Sequence, residues 1–216
     1  MDWNKILNWR LLSGSHKFPG PDGGTCINEA AIVAAGFEYC SVSSAMDCPP
    51  CFSRVLSAYA IALNDRLPDD ARQELLMPFV TRLAGTADTP EIEWQRFSHI
   101  MLGIVRTVLP IALRGWKDDI AGQCAAVTNY DEAVAVVNNL ARALDLARAR
   151  ALDRARALDL VLARALDLAR ARARDLYPAM IALLDEAMKI GKQAEPLEQD
   201  LVIGRLAKIR TLELSR

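Results

Sequence analysis

Residues 140–176 alternate without exception: every odd position holds Ala, Asp or Val, and every even position holds Leu or Arg. A period of two is ordinarily the mark of a strand. The residue types argue otherwise. Alanine is depleted in strands, whereas Ala, Leu and Arg are among the strongest helix formers. The unit Ala-Arg-Ala-Leu-Asp-Leu-Ala-Arg starts at Ala141, with close copies from Ala149, Ala155, Ala163 and Ala171. Ala, Asp and Val codons begin with G, and Leu and Arg codons can begin with C. A tandem repeat expanded in the gene would write this alternation, and a gene without the G-first, C-first pattern would dismiss that origin.

Wound as a helix, the tract makes physical sense. At 100° per residue, Leu140, Leu144, Leu152, Leu158, Leu162, Leu166 and Leu176 share about a third of the circumference. Asp145–Arg148, Asp153–Arg156 and Asp167–Arg170 are i,i+3 pairs, each contributing roughly 0.2–0.5 kcal/mol. Thr128 or Asn129 caps the start, and neither Gly nor Pro recurs before Pro178. The sequence therefore predicts one helix of roughly 45 residues, about 70 Å long at 1.5 Å per residue. Its apolar edge needs cover, from the N-terminal domain or from another copy. The leucine spacing is not a clean heptad, which favours a bundle over a coiled coil.

The preceding part reads as shorter helices separated by strong breakers. Trp3, Ile6, Leu7 and Leu11 predict a first helix capped by Asp2. Gly14, Pro19, Gly20, Pro21, Gly23 and Gly24 impose a loop, after which Thr25 caps a helix ending at Gly36. A short extended piece is expected over residues 37–42. Asp47 is placed to cap a helix with Pro49 and Pro50 in its first turn. Further helices are expected after Pro68-Asp69-Asp70, with a kink at Pro78, and after Thr89-Pro90-Glu91, with a stop or bend near Pro110. Others follow over residues 116–127 and 197–214. The fold class is all-α: a helical N-terminal domain over residues 1–127, then a long-helix region over residues 128–216.

The chain of 216 residues is 52% apolar with a formal charge of −1, which excludes general disorder and a global attraction to nucleic acid or anionic lipid. The N-terminus lacks a secretory pattern, and the most apolar run, residues 100–113, is short for a membrane span. A cytoplasmic protein is expected. The five cysteines are an odd number in a chain long enough to fold without disulfides. Residues 140–176 carry nine Arg and five Asp, a local charge of +4. The interleaved aspartates and the lack of aromatic residues speak against nucleic acid and for a solvated face.

Three local features carry chemistry. Cys48-Pro-Pro-Cys51 has the spacing of a redox pair or half of a zinc site, which Cys40 and either Cys26 or His16 would complete. Packing alone is the simpler account, since no second close pair exists. Cys26 follows a glycine-rich loop at a helix start, the local setting of some thiol nucleophiles, with His16 as its nearest base. The His99 alternative lies on a predicted helix amid core. Asn28 and Glu29 either complete the helix cap or line a pocket, and capping is favoured. The same loop has no P-loop lysine, which argues against nucleotide.

FPGPDGGTCINEAAIVAAG, residues 18–36, and FSRVLSAYAIALNDRLPDDARQELLMPFVTRLA, residues 52–84, resemble a set of uncharacterised bacterial proteins. In these, a similar N-terminal domain precedes an alanine-rich tail of varying sequence. The resemblance covers about residues 10 to 115. It implies bacterial origin and a two-part layout, and no activity, cofactor or catalytic residue.

The leading expectation is a non-enzymatic interaction or assembly protein, self-associating through the leucine stripe or pairing with another helical protein, without cofactor. One alternative is a thiol-dependent enzyme or small-ligand-binding domain built on Cys26, His16, Asn28 and Glu29. Another is a zinc-stabilised domain using Cys48 and Cys51.

Overall fold

The computed structural model describes residues 10–16, 24–143, 173–198 and 200–205. The protein is mostly helical. It divides into two compact units: Met1–Arg96 with Met188–Arg216, and Phe97–Ala187. Residues 97–127, read from sequence with the N-terminal domain, belong to the second unit.

The first unit opens with two strands, which the all-α expectation lacked. β1 (Arg10–Leu11) pairs in parallel with β2 (Gly24–Thr25), Leu11 opposite Thr25. Leu11 is thus on a strand and not on the predicted first helix, whose other residues, Asp2, Trp3, Ile6 and Leu7, lie outside the described ones. The cause is tertiary. Gln73 Oε1 accepts the Leu11 N–H at 2.9 Å, Asn64 Nδ2 donates to the Leu12 carbonyl at 2.7 Å, and Arg72 Nη1 donates to the Leu11 carbonyl at 3.3 Å. Distant side chains satisfy the backbone groups that a helix would satisfy internally. Gly24 permits this approach, because a Cβ there would lie 2.1 Å from Leu12 Cδ1.

α1 (Ile27–Ala34) is buried at every position and ends at Gly36, whose φ of 89° suits a residue without a Cβ. Residues 37–42 form no ladder. The next expected cap is corrected: Asp47 ends a 3₁₀ turn (Ala45–Asp47), and Ser53 caps α2 (Arg54–Arg66) through its hydroxyl, 3.1 Å from Leu56 N. Each residue before a proline is pushed out of the α region. Cys48 and Pro49 are two such positions in a row, and Cys48 is extended at φ −70°, ψ 151°. The helix begins only beyond them.

α3 (Asp69–Leu76) starts where its aspartates predicted, and Pro78 turns its end into a 3₁₀ turn (Met77–Phe79). Two buried arginines tie this unit together. Arg72 donates to the carbonyls of Asn64 and Leu67 at the end of α2 and pairs with Asp69 at 2.6 Å. Arg96 is fully buried on α4 (Pro90–Gly103). It donates to the carbonyls of Thr86 (2.6 Å), Ile190 (3.0 Å) and Lys192 (3.1 Å) and pairs with Glu93 at 2.7 Å. The 188–198 segment is thereby held to the start of α4, and Leu197 N–H reaches the Thr81 carbonyl.

The described residues of the second unit are built of helices. α4 does not stop near Pro110. It passes through a π turn (Ile104–Val108) into α5 (Leu109–Leu113). Pro110 lacks an N–H and its ring clashes with the carbonyl four residues back, and the wider turn accommodates both. Pro90–Leu113 therefore forms 24 continuous helical residues, long and apolar enough to cross a membrane by length and composition, with half of its most apolar window buried in the protein. This corrects the short span read from residues 100–113.

α6 (Asp118–Ala126) and α7 (Tyr130–Ala143) follow, the latter capped by Asn129 Oδ1 at 3.0 Å from Glu132 N. α8 (Ala173–Met188) carries Pro178 inside it. Ala133, Val137 and Leu140 form the buried stripe of α7, and Leu176, Met180, Leu183, Leu184 and Ala187 that of α8. The predicted long helix is thus described at its two ends, and residues 144–172 lie outside the described ones. Of the last predicted helix, residues 200–205 are helical, and 206–216 are likewise outside.

Candidate functional site

Of the glycine-loop candidates, Cys26, Glu29 and the His16 backbone come together, around the start of α1. Cys26 is its N-cap, and Glu29, three residues on, closes a capping box. The Cys26 sulfur accepts the Glu29 N–H at 3.4 Å, and Glu29 Oε2 accepts the Cys26 N–H at 2.8 Å. The fully buried carboxylate does more. Its Oε2 also accepts Thr25 Oγ1 (3.2 Å), and its Oε1 accepts His16 N (3.1 Å), Val42 N (3.0 Å) and Ser15 Oγ (3.3 Å). Tyr39 and Ser41 hydroxyls add bonds to the His16 carbonyl at 2.5 and 2.6 Å. One carboxylate therefore organises three chain segments, and its lone pairs are committed to protein donors.

This geometry suits an anchor more than a catalytic centre. The Cys26 thiol is 2% exposed, and burial, followed by the neighbouring Glu29 charge, pushes it far above the ordinary thiol range. A nucleophile needs the reverse. His16 joins the network through its backbone; its Nε2 is buried without a hydrogen-bond partner, and its ring makes no bond to Cys26. The Asn28 side chain is not part of the cap. Its amide donates to the Ser57 carbonyl at 3.0 Å, tying α1 to α2, while its Oδ1 has no partner.

In Cys48-Pro-Pro-Cys51, Cys48 is buried and Cys51 half-buried, and the thiols are not at a helix start. Arg54 Nη1 holds the turn by donating to the Ala45 and Cys48 carbonyls at 2.6 and 2.7 Å. Burial raises the Cys48 thiol against the pull of Ser57 and Arg54, and burial with Asp47 raises Cys40. Zinc takes thiolates. Among the described residues, no group of three or more His, Cys, Asp or Glu side chains stands close enough to hold a metal ion.

A cleft of about 330 Å³ in the second unit was missed by sequence reasoning. His99, Arg106, Thr107 and Glu186 line it above Leu102 and Leu183. His99, expected in the core, is 36% exposed, with Nε2 3.1 Å from Glu186 Oε2. The available signal was Arg106 itself, a lone charge in the most apolar run of the chain, four residues before a proline. Glu186, the partner of His99, lies 87 residues from it in sequence, beyond the reach of any local pattern. No family model, curated protein or solved structure matches the chain.

Proposed function

We propose that this protein works by helix association, as a non-enzymatic assembly protein that pairs with a second copy of itself through the leucine face of residues 140–176. The supporting observation is the phase of the two flanking helices. Leu140 follows Ala133 and Val137 on the buried side of α7, and Leu176 precedes Met180 and Leu184 on the buried side of α8. The leucines at 144, 152, 158, 162 and 166 continue that phase by sequence. Each, once covered, contributes roughly 2 kcal/mol. Ten from two copies give about 20 kcal/mol gross, which exceeds the roughly 4–15 kcal/mol that association costs. The bacterial, cytoplasmic setting belongs to the same reading, which five free thiols suit.

Light scattering of the full chain at micromolar concentration tests this. A dimer or larger species is expected, reduced to a monomer by the triple substitution Leu152→Asp, Leu158→Asp, Leu162→Asp. A monomeric parent chain would refute the proposal. The thiol-enzyme alternative has no comparable support, since Cys26 serves as a helix cap with its thiol held protonated.

A further inference from the structure

The cleft between α4, the π turn and α8 arises from two sequence features. Gly103 lets α8 come close: a Cβ there would sit 2.1 Å from Leu183 Cδ2. That contact sets the register, so that Glu186, one turn beyond Leu183, meets His99, one turn before Gly103. Pro110 forces the π turn, and within it Arg106 and Thr107 are exposed while Ile104, Val105 and Val108 are buried. Single π turns recur at functional sites because they redirect side chains.

The charges in this cleft are of both signs. Arg106 makes no hydrogen bond or ion pair among the described residues, and Glu186 uses one carboxylate oxygen on His99, leaving Oε1 without a bond. A dianion would meet Glu186, and a dication would meet Arg106. A neutral apolar molecule would cover a guanidinium without replacing its water. A volume of about 330 Å³ lies at the small end of ligand sites.

We propose that this cleft binds a small zwitterion of the α-amino-acid class. Its carboxylate faces Arg106, with the Thr107 hydroxyl beside it. Its ammonium faces Glu186, and an apolar side chain lies on Leu102 and Leu183. The inference is independent of the assembly reading.

Titration of the full chain with L-leucine, followed by ligand-observed NMR, tests it. Acetate and propylammonium serve as probes carrying one charge each. Leucine is expected to bind with Kd of about 1 mM or tighter, at least about tenfold better than either single-charge probe. Arg106→Gln and Glu186→Gln, both at exposed positions and checked for fold by circular dichroism, should each weaken leucine about tenfold. Equal binding of acetate, unchanged binding in Arg106→Gln, or no binding at about 10 mM leucine would each overturn the proposal.

Discussion

Arg96 and Leu184 are both fully buried, one in each compact unit, and they are held by different physics. Around Arg96 the first unit is closed by polar hubs. All ten buried polar or charged residues among the described ones, including Glu29, Asn64, Arg72 and Arg96, belong to it. Around Leu184 the described residues of the second unit bury only apolar stripes. The difference follows from the backbone. A helix bonds its own N–H and C=O groups and asks its neighbours only for apolar cover. Short strands, turns and an irregular 189–198 segment leave those groups open, and buried side chains must meet them.

The contrast predicts different responses to substitution. Arg96→Met should have the largest effect, about 3–5 kcal/mol, because Glu93 and three carbonyls lose their donor. Hydrogen exchange should show residues 188–198 released first. Full protection there would mean that the arginine is not the clasp. Leu184→Ala should cost about 2–5 kcal/mol in denaturant unfolding, while Leu184→Met should cost less than about 1.5 kcal/mol. If Leu184→Met were as damaging as Leu184→Ala, the second unit would depend on more than apolar volume.

The smallest effect concerns Asp88. The Lys192 and Thr89 N–H groups, bonded to it at 2.6 and 2.8 Å, and nearby Arg96 hold its carboxyl below the ordinary 3.8. A lowered folded-state pKa stabilises the fold above the ordinary value, and that contribution is lost as pH falls through the lowered one. From pH 3.8 downward, the thermal midpoint should therefore fall less steeply in Asp88→Asn than in the parent chain. An identical slope would remove Asp88 from the clasp.

Legibility in the sequence follows the same division. The starts of α3, α4 and α7 were readable because Pro68-Asp69, Thr89-Pro90 and Asn129 act on their own helices. The stripe phase through Leu140 and Leu176 was readable because 3.6-residue periodicity is local. Glu29 was legible as a capping residue. Its additional bonds to Ser15, His16 and Val42 were not, since those donors are 13 or 14 residues away. The expected cap at Asp47 fell too early because two consecutive prolines follow it, and the helix starts only beyond them, at Ser53.

The sequence alone determined that this chain is mostly helical, where α3, α4 and α7 start, and which face of α7 and α8 is apolar. Those properties are written in residues a few positions apart. Tertiary structure decided that Leu11 lies on a strand, that Arg72 and Arg96 are buried, and that His99 meets Glu186. Each depends on groups from distant segments satisfying one another's polar atoms, which no local pattern encodes.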